Sequence, residues 1–255
     1  MNYLIGIDIG TSATKTVLFD ENGTVIASAS REYPLYQPEN GWAEQRPQDW
    51  REAAIDTIGR VIRQAGISGN EVRGVGLSGQ MHGLVMLDEA GEVIRPSIIW
   101  CDQRTGAETE EMLRRLPREK WMEITANPPL TGWTAAKILW VKNHEPEHYA
   151  RCRHILLPKD YIRYVLTGQF ATEVSDASGM QLLDVPGRSW SREVLNALEI
   201  DENLLGRVYE SCEVTGKILP EIAAATGLST DTVVVGGAGD NAAAAVGTGV
   251  IRDGM

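Results

Sequence analysis

Residues 3–20, YLIGIDIGTSATKTVLFD, decide the expected fold of this chain. Two runs rich in β-branched residues, YLIGIDI and TKTVLFD, flank a turn that contains Gly-Thr-Ser, and a third run, TVIASASREY, follows Glu-Asn-Gly. Glycine-containing polar links of this kind favour antiparallel hairpins. The sequence therefore predicts that the chain begins with three antiparallel strands.

The rest of the chain alternates between helical and strand patterns. Residues 47–66 place apolar side chains at helical spacing and end in glycine, and residues 72–79, VRGVGLSG, are typical of a buried strand. Residues 84–96 indicate another hairpin, whereas residues 103–205 are mostly helical in pattern. We expect one α/β domain, a mixed sheet flanked by helices with a helical insertion.

Composition excludes several classes of function. The net charge of −11, without a run of Lys or Arg, argues against a nucleic-acid partner. The first residues have no basic region, and no apolar run reaches the roughly 20 residues that span a bilayer, so a cytoplasmic protein without a membrane partner is expected. Three widely spaced cysteines form neither a disulfide framework nor a zinc pattern.

The turn after the first strand is a candidate phosphate site. Asp8 ends the strand, and Thr11, Ser12 and Lys15 follow it. Hydroxyls, amides and a lysine can hold phosphate oxygens, and a carboxylate can organise Mg²⁺ through water. The alternative is an ordinary polar β-turn. A Walker loop is excluded because no G-x-x-x-x-G-K-[ST] is present and a strand follows.

Two further segments follow apolar strands, where small ligands often bind in α/β proteins. Met81 and His82 lie in SGQMHG, for which a structural histidine is the alternative. Trp100 and Asp102 lie in IWCDQR, where a tryptophan face and a carboxylate suit a polyol. The alternative there is a core tryptophan beside an aspartate that caps a helix.

A fourth segment, GAGDNA at residues 237–242, formally matches the dinucleotide fingerprint G-x-G-x-x-A. That interpretation requires a further strand with an acidic residue about 20 positions on, and Asp240 would place negative charge where a pyrophosphate should lie. Asp240 is better explained as a base, because a helix N-terminus favours a negative charge and the small neighbours leave room for a substrate.

In this order, the four segments resemble those of the FGGY family of carbohydrate kinases, and the resemblance covers nearly the whole chain. It implies a ribonuclease-H-like (actin-like ATPase) domain whose cleft holds a ketose and receives the γ-phosphate of ATP with Mg²⁺. The QMHG and WCDQR segments are most similar to those of xylulokinases, which implies D-xylulose as the substrate.

The resemblance also implies a role for each candidate residue. Asp240 would take the proton from the sugar hydroxyl, and Asp8 would hold Mg²⁺ through water. The phosphate-binding residues would be Thr11, Ser12 and Lys15. The sugar-lining residues would be Met81, His82, Trp100, Asp102 and Asn241.

Family members carry a second domain of similar size after the catalytic aspartate. Residues 1–255 are therefore expected to form the N-terminal domain, with the C-terminal kinase domain as a missing partner and little activity alone. Alternatives are a non-catalytic sugar-binding or regulatory module, a related kinase for another pentulose or polyol, and a metal-dependent nuclease, which the acidic charge disfavours. A homodimer stays open, because the tryptophans fit a core or an interface: Trp121, Trp133, Trp140 and Trp190.

Overall fold

The computed structural model describes residues 2–252 and 254. Its strands are β1 (Tyr3–Ile9), β2 (Ala13–Asp20), β3 (Val25–Glu32), β4 (Glu44–Gln45), β5 (Val72–Gly79), β6 (Val85–Leu87), β7 (Ser97–Ile98), β8 (His154–Leu156), β9 (Ala171–Glu173), β10 (Leu183–Asp184), β11 (Ser189–Trp190), β12 (Arg207–Tyr209), β13 (Val214–Lys217), β14 (Val233–Val235) and β15 (Ala238–Gly239). Its α-helices are α1 (Pro47–Ala65), α2 (Gly106–Arg115), α3 (Arg118–Thr125), α4 (Thr134–His144), α5 (Pro146–Arg151), α6 (Pro158–Thr167), α7 (Val174–Ala177), α8 (Arg192–Leu198), α9 (Pro220–Thr226) and α10 (Asp240–Gly247).

The central sheet has the strand order β13-β14-β5-β1-β2-β3, and β15 also pairs with β5. The first three strands are antiparallel, as predicted, whereas β5 runs parallel to β1, β14 and β15. Asp8 is opposite Lys15 on one side and beside Ser78 of β5 on the other. Ala238 of β15 lies on the far side of Ser78. This register brings the turn after β1 and the start of α10 to one edge of the sheet.

Helix α1 covers one face of the sheet and forms the first hydrophobic cluster with it. Trp50, Ala54 and Ile58 point inward, as the spacing predicts, and all are fully buried. Gly66 ends the helix with a φ of 65°, a conformation that glycine adopts without the penalty of a Cβ atom. The predicted mixed α/β sheet with a long amphipathic helix is therefore confirmed.

A second hydrophobic cluster lies in the helical region between residues 103 and 205, which corresponds to the predicted insertion. Trp121 and Trp140 belong to this core, and Trp190 packs against it. The region also contains short strands that the sequence pattern did not predict. The predicted hairpin at residues 84–96 is narrow, with a single bridge between Leu87 and Val93 around a tight turn.

The opposite face of the sheet borders a cleft of about 610 Å³ beneath α10. Gly6, Val17 and Phe19 form part of its floor, and Asp8 and Lys15 lie in the same cleft. Within the described ranges, we find no helix with the length and apolar character required to cross a bilayer.

Candidate active site

The turn at residues 10–12 is fixed through its carbonyl oxygens. Tyr33 Oη donates to the Gly10 oxygen at 2.6 Å, and Gln45 Nε2 donates to the Thr11 oxygen at 2.7 Å. None of the described hydrogen bonds uses the amide N–H of Thr11 or Ser12 as its donor. Those two amides are therefore the donors that a phosphate group would meet here.

Two buried glutamines connect this turn to the loop after β5. Gln80 Nε2 donates to Gln45 Oε1 at 2.9 Å, and Trp50 Nε1 donates to the same oxygen at 3.2 Å. Gln80 also donates its backbone N–H to the Ile9 oxygen at 2.8 Å. Both glutamine side chains are about 1% exposed, so the connection between the two loops is shielded from water.

Asp8 and Asp240 lie on either side of β5. Asp8 and Ala238 both flank Ser78, so about two strand spacings, roughly 10 Å, separate their backbones. Desolvation in the cleft raises the pKa of Asp8 and the Asp240 charge raises it further, whereas the Ser78 hydrogen bond and the Lys15 charge lower it. The two carboxylates are therefore close enough for their charges to interact.

The surroundings of Asp8 have the chemistry that a Mg²⁺ site would need. Among the described residues, no three His, Cys, Asp or Glu side chains converge to enclose a metal ion. Mg²⁺ usually binds through one or two carboxylates, several waters and substrate phosphates. Two carboxylates that repel each other beside one lysine leave an excess of negative charge, which a divalent cation would relieve.

The His82 ring is held by two contacts in the loop after β5. Its Nδ1 lies 2.9 Å from the Gly179 carbonyl oxygen, and its ring stacks on Trp133 with centroids 4.4 Å apart. Since a carbonyl can only accept, Nδ1 carries the proton and Nε2 is an acceptor in the neutral ring. Desolvation lowers the pKa of His82, the nearby Lys137 charge acts in the same direction, and the Gly179 bond opposes both. His82 is therefore a neutral acceptor near pH 7.

The buried Lys137 stabilises this loop through hydrogen bonds to backbone carbonyls. Its Nζ donates to the His82 carbonyl oxygen at 2.6 Å and to the Gly132 carbonyl oxygen. Desolvation lowers the pKa of this fully buried lysine to about 7, although the Asp102 charge opposes the shift. The two hydrogen bonds join the His82 loop, where φ is 64°, to the loop that carries Trp133.

Trp100 reaches the phosphate turn, whereas Asp102 points away from the cleft. The Trp100 indole is 48% exposed and donates from Nε1 to Thr11 Oγ1 at 2.9 Å. Asp102 is fully buried and accepts from the backbone N–H of Ala43 at 2.6 Å and from Arg104 Nη2 at 2.7 Å.

The role of Asp102 as a sugar contact stays a prediction. In this structure both of its oxygens accept hydrogen bonds within the protein. The capping alternative is wrong, because α2 begins at Gly106 with Thr105 as its N-cap. Asp102 instead fixes Arg104, whose guanidinium stacks 3.7 Å from the Trp42 ring centroid, and so shapes the segment that presents Trp100.

Asp240 and Asn241 lie in the first turn of α10, where a helix start was predicted, and both are exposed. The Asn241 N–H donates to Asp240 Oδ1 at 2.7 Å. A Cβ atom on Gly239 would lie 2.9 Å from the Met81 sulfur, so the predicted sugar loop packs directly on the residue before Asp240. Gly237 has a φ of 72°, and a Cβ there would lie 2.1 Å from the Leu77 oxygen. Contact with β5 and Met81 thus explains both glycines, and the dinucleotide interpretation loses its basis.

Sequence reasoning missed several residues that support the site. Lys137 could have been found from the sequence, because it is the single charged residue in the apolar run from Thr134 to Val141, which is buried in the structure. Ser78 begins the candidate segment SGQMHG but was given no role. Trp133 and Gln45 had no such signal, since only the fold brings them to the candidate residues.

Comparison with known proteins identifies the family and the fold. Residues 3–247 match the N-terminal domain of the FGGY family of carbohydrate kinases. The xylulose kinase of Bacillus subtilis (strain 168) is 41% identical over 254 residues, 100% of this chain and 51% of that protein. The crystal structure of xylulose kinase from Rhodospirillum rubrum has a TM-score of 0.95 at 31% identity and covers 99% of this chain and 52% of its own.

The gluconate kinase from Lactobacillus acidophilus is also similar, with a TM-score of 0.88 at 31% identity over 94% of this chain and 48% of its own. The chain thus spans about half the length of the curated relatives it matches. The likeness to the kinase structures confirms the predicted actin-like ATPase fold. Together with the family match over almost all of its residues, it shows that the chain belongs to the FGGY family of carbohydrate kinases.

Proposed function

We propose that this chain provides the sugar site and the catalytic base of a kinase that converts D-xylulose to D-xylulose 5-phosphate. The observation that carries the proposal is the contact between Met81 and Gly239. It places the predicted sugar loop directly beside Asp240, across β5 from Asp8. The xylulose kinases among the relatives support the choice of sugar.

In the proposed reaction, Asp240 accepts the proton of the sugar 5-hydroxyl. The hydroxyl oxygen forms a bond to the γ-phosphorus of ATP, the bond from that phosphorus to the bridging oxygen breaks, and ADP leaves. Phosphoryl transfer depends chiefly on positioning and on stabilisation of charge. Thr11, Ser12 and Lys15 would bind the transferred phosphate, and Mg²⁺ held through water at Asp8 would neutralise part of its charge.

The sugar would be recognised by a small set of groups. His82 Nε2, an acceptor in the neutral ring, would accept a hydrogen bond from a sugar hydroxyl. The half-exposed Trp100 face would cover the C–H bonds of the sugar, and the Asn241 amide would bind a further hydroxyl. Met81 would fill the space between the sugar and Gly239.

A second half of the size seen in the relatives would hold the rest of ATP. The cleft described here contains groups for phosphate and Mg²⁺, and its floor is apolar. We therefore propose that the chain alone binds sugar but turns over little or none, and that activity requires both halves.

Titration of the ¹⁵N-labelled chain with D-xylulose tests the sugar site. Signals of Trp100, Asn241 and the His82 loop are expected to shift, and His82→Ala should weaken the binding. His148→Ala is the matched control, because His148 is a partly exposed histidine of α5 that binds Glu145, the residue before that helix. Shifts with D-gluconate or glycerol but not D-xylulose would assign another substrate of the family, and no shift with any of them would exclude a sugar site.

Asp240→Asn tests the base in an enzyme that carries both halves. Loss of general-base catalysis is expected to lower kcat by about 10²–10⁴-fold. Asp231→Asn is the control, because Asp231 is an exposed aspartate that pairs with Lys217 on the surface. Wild-type turnover in Asp240→Asn would exclude this residue as the base.

A further inference from the structure

Five charged side chains are buried beside the segment that leads to Asp240. Each is at most 1% exposed, and together they form the buried charge cluster: Lys159, Asp160, Arg163, Glu173 and Asp176. Moving charges out of water costs several kcal/mol each unless partners compensate. Because burying five charges is costly, we asked which backbone segments the cluster contacts.

The cluster is paired internally through Lys159 and Arg163. Lys159 Nζ lies 2.9 Å from Asp160 Oδ1 and 3.4 Å from both Glu173 Oε1 and Asp176 Oδ2. Arg163 Nη1 lies 2.6 Å from Asp160 Oδ1. Three carboxyl groups face two cations, and desolvation raises the pKa of Asp176 to about 8. A proton on Asp176 then balances the cluster near neutral pH.

The cluster contacts the segment before Asp240 through two groups. Arg163 Nη2 donates to the Gly236 carbonyl oxygen. Ser175 Oγ donates to Glu173 Oε1 at 2.9 Å and accepts from the Gly239 N–H at 3.1 Å.

Ser211 adds a third contact. Its Oγ donates to Glu173 Oε2 at 2.9 Å, and its carbonyl oxygen accepts from the Gly237 N–H at 2.9 Å. Three of the four residues before Asp240 are thus bonded to the cluster or to groups that it fixes.

Helix α10 has little packing of its own to fix its position. No residue of Asp240–Gly247 is buried in the described structure. The position of Asp240 therefore depends on residues 236–239, which lie between Met81 on one side and Ser175 on the other.

We propose that the buried charge cluster, acting through Ser175 and Arg163, is the element that positions Asp240 for proton transfer. Glu173 fixes the Ser175 hydroxyl, which orients the Gly239 N–H and so the first turn of α10. Arg163 fixes the Gly236 carbonyl at the other end of the segment. The inference rests on the proposed function, because Asp240 is the base there, and Ser175 is a positioning residue.

Amide hydrogen exchange in this chain tests the network without requiring turnover. Ser175→Ala is expected to speed exchange at the Gly239 N–H by about tenfold, the value of one hydrogen bond. Ser175→Thr keeps the hydroxyl and should restore protection. Ser178→Ala is the control, because its hydroxyl donates to the Ser175 carbonyl at 2.6 Å and not to the cluster.

Steady-state kinetics in the enzyme with both halves completes the test. Ser175→Ala should lower kcat about tenfold with the sugar KM nearly unchanged, and Ser175→Thr should recover it. Unchanged Gly239 exchange in Ser175→Ala, or an equal fall of kcat in Ser178→Ala, would overturn the inference. If Ser175→Ala does not fold, Ser211→Ala must speed exchange at Gly237, and failure to do so has the same meaning. Absence of D-xylulose binding by the wild-type chain would instead count against the proposed function.

Discussion

Gly179 lies against the ring of His82, so a methyl group at this position tests how the sugar loop is packed. A Cβ on Gly179 would meet Cε1 and Nδ1 of His82 at 2.7 Å and Met81 Cε at 3.2 Å. Since ordinary carbon contacts lie near 3.5 Å, the ring must move by about 0.7 Å or more. Trp133 stacks on a face of the ring and restricts its movement, and movement breaks the bond to the Gly179 carbonyl.

The magnitude follows from two contributions. Overpacking a well-filled site costs about 1–3 kcal/mol, and loss of the Nδ1 hydrogen bond costs about 1 kcal/mol more. Gly179→Ala should therefore lower the free energy of unfolding by about 2–4 kcal/mol. For a chain of this size, that corresponds to a fall in Tm of roughly 5–15 °C.

Thermal unfolding and D-xylulose titration measure the two consequences. We expect Gly179→Ala to lower Tm and to weaken sugar binding at least tenfold, because the displaced ring no longer presents Nε2 as an acceptor. Gly106→Ala is the matched control, since no atom lies within 4 Å of a Cβ at that position. Wild-type Tm and wild-type sugar affinity in Gly179→Ala would refute the described packing of His82.

Three other substitutions are expected to change how the free energy of unfolding depends on pH. The two aspartate substitutions should gain stability relative to the wild type as pH rises, and the lysine substitution should lose it. Asp8→Asn should stabilise the fold above about pH 4 and have no effect below it, because desolvation and Asp240 raise the pKa of Asp8 in the folded chain; urea unfolding at pH 3 and 7 checks this. Because the folded pKa of Lys137 is about 7, the wild type should become more stable as pH rises from about 7 to 10.5, with a slope of at most about 1.4 kcal/mol per pH unit. Lys137→Met should lack this increase, and an equal pH dependence of unfolding in both proteins would contradict the expectation. Asp176→Asn should become more stable than the wild type as pH rises from about 4 to 8, because the folded pKa of Asp176 is about 8. Above that pH, the difference in the free energy of unfolding should stay constant.

The sequence was most informative where a pattern repeats along the chain. The antiparallel strands β1 to β3 and helix α1 follow from alternation, from helical spacing and from Gly66 as a stop, which are local properties of the backbone. The short strands between residues 154 and 190 were not predictable, because two- or three-residue pairings depend on what lies opposite them. Strand β8 pairs with β6 and strand β9 pairs with β12, both distant along the chain, whereas β10 and β11 form a short local hairpin.

In the candidate site as well, some residues were found from local sequence motifs and others only from the fold. Asp8 and Asp240 stand at the ends of recognisable strands and at a helix start, so motif reasoning found them. The structural contacts of Asp102 with Ala43 and Arg104 could not be predicted, because its sequence context fits a sugar ligand equally well and only the fold brings Ala43 to it. Ser175 lies 65 residues from Asp240 along the chain, and no spacing rule connects them.

The link between Gln45 and Gln80 has an electrostatic consequence for the phosphate turn. A carboxylate would reach as far as an amide, but it would bring a full negative charge to a site that already holds Asp8 and Asp240. It would also lack the N–H groups that reach the Thr11 and Gly10 oxygens. The neutral amides hold the turn without adding a net charge, so the proposed triphosphate would meet no added repulsion there.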